Sequence, residues 1–151
     1  MKTGTIGRRR LLGGIVATGL IGGTFGCSGS RSATYEIEAG RDRWLANRPL
    51  KYRYEIEIAG FRPANRYQVE VDVLAERSTV TLLEGFEPGE TSEWDSIDAL
   101  FATAIRVRNA GGMASVEYDE TGITPSVVRT DPFPEAVDDE TEYRVFAFEV
   151  M

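Results

Sequence analysis

The stretch KYRYEIEI, residues 51–58, constrains the fold more than any other part of the chain, because apolar and charged residues alternate along its whole length. In an extended chain this two-residue period places Tyr52, Tyr54, Ile56 and Ile58 on one side and the charged side chains on the other. Such alternation is typical of an antiparallel sheet with one buried face and one face in water. A strand of this kind needs paired neighbours and a second layer that covers its apolar side.

Five further segments have strand character, and residues that favour turns separate them. Residues 67–73 repeat the clear alternation, whereas the segment 79–83 matches it more weakly. Gly85, Pro88 and Gly89 end this first group of three strands. The additional strands are predicted at 67–73, 79–83, 113–119, 126–130 and 142–150.

Two segments have helical spacing instead. The first, residues 35–47, ends before Pro49, because the residue that precedes a proline avoids helical angles. The second begins after a predicted N-cap at Asp95 and ends before the glycine pair at 111–112. The apolar residues expected to face the sheet are Ile37, Trp44 and Leu45 in the first helix, and Ile97, Leu100, Phe101, Ala104, Ile105 and Val107 in the second.

The predicted order is therefore helix, three strands, helix, three strands. Two amphipathic helices can cover one face of an antiparallel sheet and leave the other face in water. We expect an α+β fold, a two-layer sandwich with an antiparallel sheet of about five to six strands and two helices on one face. Residues 35–151 form this single domain in the prediction.

The N-terminal segment RRRLLGGIVATGLIGGTFGC, residues 8–27, has the charged start and the short apolar run of an export signal. The apolar run covers about 15 residues, fewer than the ~20 that cross a bilayer as a helix. Arg8 and Arg9, followed at one residue's distance by two leucines, resemble the twin-arginine export motif. Residues 1–27 are therefore predicted to be a leader.

Cys27 is the only cysteine of the chain and directly follows this leader. With Gly26 before it, the position resembles the processing site of lipoproteins, in which the cysteine becomes the lipidated N-terminus. Thr24 and Phe25 depart from the usual pattern, and a plain cleaved signal or an uncleaved anchor are the alternatives. We expect anchoring at the outer face of the cytoplasmic membrane, with residues 28–34 as a flexible tether.

The charge of the chain changes sharply after the leader. The residues after Cys27 include 24 acidic and 13 basic side chains, a net charge of −11. Such a surface repels nucleic acid, so a nucleic-acid partner is not expected. Lys51 is the only lysine of this part, beside twelve arginines, which indicates a halophile-type protein, although an ordinary acidic secreted protein is the alternative.

In their order along the chain, several short motifs resemble a family of small secreted lipoproteins classed as a domain of unknown function. The resemblance covers residues 35–148 and implies the fold and the extracytoplasmic address, but no activity. Glu120 stands where relatives often carry a proline, and Gly122 lies one residue early. The motifs are Trp44, Tyr52-Arg53-Tyr54, Val69-Glu70-Val71, Ile97-Asp98-Ala99-Leu100-Phe101, Tyr118-Asp119, Gly122, Pro125 and the acidic stretch Asp138-Asp139-Glu140 before Tyr143.

The residue types that usually carry catalysis are scarce. The chain has no histidine, and Cys27 is its only thiol, so we expect no catalytic residue, no cofactor and no zinc or copper site. A carboxylate pair that hydrolyses a substrate at the cell surface is the alternative function. The acidic loop from Asp131 to Glu140 could bind calcium, but it lacks the spacing of an EF-hand and is predicted to be a solvated surface.

Two phenylalanines in proline-containing loops are the candidate contact residues. Phe61 lies between Gly60 and Pro63, and Phe133 lies between two prolines. An aromatic residue held by its neighbours loses little entropy on binding, although each ring could instead close an end of the sheet. The expected function is thus a membrane-tethered domain that binds a protein or envelope component through this surface, while Tyr52, Tyr54, Tyr67 and Tyr143 are expected in the core or as cross-strand partners.

Overall fold

A computed structural model describes residues 28–60, 63–136 and 139–151. It confirms the predicted α+β fold and the order of its elements. The elements are α1 (Ser28–Asn47), β1 (Lys51–Ala59), β2 (Asn65–Asp72), β3 (Arg77–Glu84), α2 (Ile97–Asn109), β4 (Met113–Tyr118), β5 (Pro125–Asp131) and β6 (Thr141–Val150).

The six strands form one antiparallel sheet with the order β3-β2-β1-β6-β5-β4. The two halves of the chain each supply a meander, and they meet where β1 pairs with β6. The strand with the strictest alternation therefore lies next to the centre of the sheet. The register places Ile56 opposite both Tyr67 and Val145, so the apolar residues of neighbouring strands share one face.

Both helices cover this apolar face. The side chain of Tyr52 shows this directly, because its ring packs edge-on against Trp44 of α1 and its hydroxyl oxygen accepts a hydrogen bond from the first residue of α2, Ile97, at 3.3 Å. The hydroxyl of Tyr54 donates to the carbonyl of Trp94 at 2.7 Å. Burial raises the pKa of both tyrosines, so these hydroxyls remain protonated and able to serve as structural hydrogen-bond groups.

The predicted core is confirmed in most positions. Tyr52, Tyr54, Tyr67 and Tyr143 are buried, together with Ile37, Trp44 and most of the stripe predicted for α2. Leu45 is an exception, because it is 45% exposed and lies on the solvent side of α1. The predicted N-cap is also one residue too early, since the side chain of Ser96 accepts the hydrogen bond from Ala99. Aspartate and serine both cap helices well, so the pattern alone could not separate them.

Helix α1 begins at Ser28, so the segment 28–34 is helical where the sequence suggested a flexible tether. No proline interrupts this segment, and Gly29 is its only glycine. A helix fixed to the sheet by Ile37 and Trp44 is already nucleated, and each added residue then gains a hydrogen bond at little further cost. Docking therefore outweighs the weak helix propensity of the serines.

A close contact joins α1 to the last residue of β4. Gly40 lies against the ring of Tyr118, which also stacks with Phe101 of α2 and carries the guanidinium of Arg43 on its face. A Cβ atom at position 40 would collide with the hydroxyl oxygen of Tyr118 and lie 2.6 Å from its Cζ atom. The absence of a side chain at position 40 therefore allows the ring to fit beneath the helix.

We predict that Gly40→Ala lowers the free energy of unfolding. Alanine gains about 1 kcal/mol of helix propensity, but forcing a methyl group into a packed contact typically costs about 1–3 kcal/mol. Urea unfolding of the variant and of the wild type measures the difference. Tyr118→Phe should restore part of the loss, because it removes the nearest colliding atom, a buried hydroxyl that has no hydrogen-bond partner in the structure.

Gly89→Ala is the matched control, because a Cβ atom at that glycine meets no other atom within 4 Å. Its free energy of unfolding should be close to that of the wild type. Equal effects of the substitutions at positions 40 and 89 would contradict the steric explanation.

Candidate binding cleft

The strands of the sheet leave a cleft of about 1010 Å³ at one end. We call it the loop-end cleft. Strands β1 and β5 end here and strands β4 and β6 begin here, so the loops that connect them surround the opening. Its lining comes from Ala59, Gly60, Arg108, Met113, Ala114, Ser115, Arg129, Thr130, Asp131, Ala136, Glu140, Thr141 and Glu142.

Two glycines allow the β5–β6 loop to approach its neighbours closely. A Cβ atom on Gly60 would lie 3.0 Å from the carbonyl oxygen of Glu140. A Cβ atom on Gly112 would lie 2.6 Å from the carbonyl oxygen of Asp131. A Cβ atom at 2.6 Å would force the backbone to shift, and one at 3.0 Å would be tighter than most real contacts, so the absence of both side chains allows the loop to lie close to β1 and to the end of α2.

Arg129 occupies the sheet side of the cleft and is held by carboxylates on both sides. Its Nε donates to Glu142 at 2.6 Å, and its Nη1 donates to Glu117. Glu142 also accepts a hydrogen bond from Arg144, which reaches Glu57 at 3.6 Å. These groups belong to the face of the sheet that the helices do not cover, where charged residues of neighbouring strands alternate in sign.

This arrangement makes Glu142 a stable anion. The hydrogen bonds from Arg129 and then from Arg144 hold the pKa of its carboxyl below its ordinary value of 4.5, against the smaller opposing effect of burial. The carboxyls of Asp72 and Asp119 also have lowered pKa values, through hydrogen bonds that outweigh burial. A general acid needs the opposite shift, because it must hold a proton near neutral pH.

The lining is suited to binding polar groups. It combines the guanidinium groups of Arg108 and Arg129 with hydroxyl groups of Ser115 and Thr141, beside the apolar side chain of Met113. Within residues 28–60, 63–136 and 139–151, no three acidic, histidine or cysteine residues are grouped so that they could hold a metal ion. In this part of the chain the cleft therefore offers hydrogen bonds and ion pairs to a ligand.

The structure describes one of the two predicted contact residues, Phe133. Phe133 is 66% exposed in the β5–β6 loop, next to the cleft, and its carbonyl accepts a hydrogen bond from Ala136 at 2.7 Å. Phe61 lies outside the described residues, but it follows Gly60 of the lining. Cys27, Arg8 and Arg9 also lie outside the described residues, as does Asp138 of the acidic loop.

Sequence reasoning did not single out Arg129, Gly60 or Gly112. Arg129 was one of many charged residues on a strand, and such residues are usually solvated. The glycines had the ordinary appearance of turn residues. An arginine flanked by carboxylates on adjacent strands becomes visible only when the register is known.

No helix of the described chain combines the length and the apolar character that a membrane crossing requires.

A six-stranded antiparallel sheet, covered on one face by two helices and with a cleft at one end, defines an α+β domain of the two-layer class. Within this class, the chain belongs to a family described as a family of unknown function (DUF6174), which matches residues 36–150. No curated protein matches the chain significantly. The domain of unknown function that the short motifs indicated is thus confirmed.

We predict that Glu142→Gln makes the free energy of unfolding less dependent on pH. The pKa of Glu142 is lower in the folded chain than its ordinary value of 4.5. Its ion pairs therefore stabilise the fold above that value, and this stabilisation is lost as the pH falls through the folded pKa. Urea unfolding between about pH 7 and about pH 3 should show the largest difference between variant and wild type at the upper end.

The control is Glu120→Gln in the exposed β4–β5 turn, because Glu120 forms no ion pair with any residue of the described chain. The free energy of unfolding of this variant should stay close to that of the wild type at every pH. A difference between Glu142→Gln and the wild type that remains constant over the whole range would contradict the role of the carboxylate.

Proposed function

We propose that this protein is a binding domain on the outer face of the cytoplasmic membrane, and that it contacts a protein or envelope component through the loop-end cleft and the exposed ring of Phe133. The observation that carries the proposal is the cleft of about 1010 Å³ beside an aromatic side chain that is 66% exposed. The cleft supplies directional polar contacts, and the ring supplies apolar area. Partner sites combine these two elements.

Phe133 has the properties of an interface anchor. Pro132 and Pro134 restrict the backbone on either side of it, and the turn closed by Ala136 limits it further. Little conformational entropy is then lost when a partner covers the ring. Three of the four other phenylalanines in the described chain serve different purposes, because Phe101 is buried, Phe148 packs against the core and Phe146 lies under Arg66. The fourth, Phe86, is 64% exposed but has no proline directly beside it.

The alternative function is a small hydrolase that acts through a carboxylate pair. Glu142 lines the cleft and forms such a pair with Glu117, but both carboxylates bind Arg129. The guanidinium favours the ionised form of Glu142, whereas hydrolysis by two carboxylates needs one of them protonated. This electrostatic arrangement favours binding over catalysis.

We predict that Phe133→Ala weakens partner capture by about tenfold or more, the effect expected for an anchor residue. The measurement is quantitative cross-linking of the full-length protein in its own cells, at native salt, followed by recovery of the cross-linked species. Leu74→Ala is the matched control, because Leu74 is 74% exposed and lies in the β2–β3 turn at the opposite end of the sheet. Phe133→Ala should leave the urea midpoint nearly unchanged.

Three outcomes would count against this proposal. Equal capture by both variants would place the contact surface elsewhere. Unfolding of Phe133→Ala would make the ring part of the core. Turnover of a glycoside or other substrate that Glu142→Gln abolishes would support the hydrolase.

The proposed location rests on the leader. Arginines before a short apolar run, followed at once by a single cysteine, favour export and lipidation at Cys27. The excess of 24 acidic over 13 basic residues after Cys27 favours a protein that remains hydrated at high salt. Helix α1 begins at Ser28, directly after the proposed anchor, so the domain would stand close to the bilayer surface.

We predict that the mature protein partitions with the membrane fraction into detergent and that Cys27→Ala releases it or leaves it unprocessed. Stable anchoring by lipid chains explains the expected difference. Phase separation with detergent and mass spectrometry of the N-terminal peptide provide the measurement, with Ser28→Ala as the control. Wild-type protein that is free in the medium and cleaved at another position would contradict lipid anchoring.

A further inference from the structure

Strand β3 forms one edge of the sheet, so the backbone groups on its outer side have no strand partner. It is eight residues long, with the sequence RSTVTLLE, and contains neither lysine nor proline. Single-domain proteins usually protect an exposed edge with these residues or with a covering element. The pairing of β3 with β2 is irregular only between Leu82 and Glu84, so residues 77–82 form a regular edge, with β-branched residues at 79–81, on which another strand can pair.

The opposite edge is different. Strand β4 has only six residues, and its last residue, Tyr118, is held between Gly40 of α1 and Phe101 of α2. Its Glu117 is already bound to Arg129 of the neighbouring strand. Strand β3 is therefore the edge that remains available.

Two charges at the ends of β3 lack the partners that most charges on the inner strands have. Lys51 pairs with Asp72, and Glu55 pairs with Arg66. By contrast, Arg77 at the start of β3 and Glu84 at its end form no ion pair with any residue of the described chain. Their signs are opposite, and both belong to the uncovered face, because they lie opposite Asp72 and Arg66 in the register.

We propose that β3 pairs antiparallel with β3 of a second copy of this chain, which joins the two sheets into one of twelve strands about a two-fold axis. In this register Val80 lies opposite Val80 of the second copy, and Thr79 lies opposite Thr81. Arg77 then lies opposite Leu83 and beside Glu84 of the second copy. The symmetric contact forms this pair of opposite charges twice.

The sequence of β3 favours pairing with the same strand of a second copy. Reversing β3 end to end brings Arg77 beside Glu84 of the second copy, so the two charged residues within the strand are complementary to those of its partner, while Glu76 of the preceding turn lies opposite Glu84. The same register keeps the half-buried Val80 and Leu82 on the helix-covered side in both copies, next to the apolar core. Threonine pairs across strands are also favourable contacts. A parallel arrangement would instead bring like charges together.

The pairing would also cover apolar surface that the monomer exposes. Leu83 is 45% exposed and lies at the irregularity between Leu82 and Glu84. Opposite Arg77 of the second copy, it would receive the aliphatic part of that side chain, while the guanidinium reaches Glu84. Because the two-fold axis makes both copies use the same edge, the contact leaves no free β3 edge and produces a dimer instead of a filament.

The proposal is tested by the association of the purified full chain in analytical ultracentrifugation at constant ionic strength. The wild type should dimerise. Arg77→Glu and Glu84→Arg should each weaken dimerisation by about tenfold or more, because each creates two like-charge contacts. The double variant Arg77→Glu/Glu84→Arg should dimerise like the wild type, since the charges are complementary again. The leader is common to all variants, so any association through it cancels in the comparison.

Glu120→Arg is the control for net charge, because it changes the net charge as Glu84→Arg does, but in an exposed turn beside the other edge. Its dimerisation should equal that of the wild type. As a second measurement, Val80→Cys in a Cys27→Ala chain should form a disulfide-linked dimer under mild oxidation, and Leu74→Cys in the same chain should not. A monomeric wild type, a double variant as weak as the single ones, or equal cross-linking at both positions would overturn the proposal.

Discussion

The contact between the aromatic residues of β1 and the two helices determines the rest of the structure. Trp44 packs edge-on against both Tyr52 and Phe148, which joins α1 to β1 and β6. The hydroxyl groups of Tyr52 and Tyr54 bind backbone groups at the start of α2. The same two side chains thus supply apolar area to the core and set the position of the second helix. Phenylalanine could do only the first.

Because the helices use the apolar face of the sheet, function is confined to the remaining surfaces. The uncovered face carries alternating charges that neutralise one another across the strands, as in the group of Arg129, Glu142 and Arg144. Exposed ion pairs of this kind contribute little to stability one by one. Their main consequence is local, since they lower the pKa of the Glu142 carboxyl beside the loop-end cleft. The chemistry of the cleft therefore follows from the register of the sheet and not from a catalytic motif.

The fold could be predicted from the sequence because its signals are local and repeated. Alternation identified the central strand, and the helical stripe identified Leu100 and Phe101 as core residues. One error arises where two local signals are equally good, as for the helix cap at Ser96. Another arises where packing of a helix against the sheet determines its length, as for the start of α1 at Ser28. The cleft could not be predicted, because it depends on contacts such as that of Gly112 with the end of β5.

The motifs that mark the family supply contacts that hold the fold together. Asp119 accepts hydrogen bonds within its own turn, from the hydroxyl of Thr121 at 2.6 Å and the backbone of Ile123. Gly122 has a φ of 71°, and its carbonyl accepts a hydrogen bond from Arg43 of α1. Glycine adopts this backbone conformation without strain. These residues close the β4–β5 hairpin and dock it onto the helix. The motifs therefore account for the architecture, which is what membership of the family shows for residues 36–150.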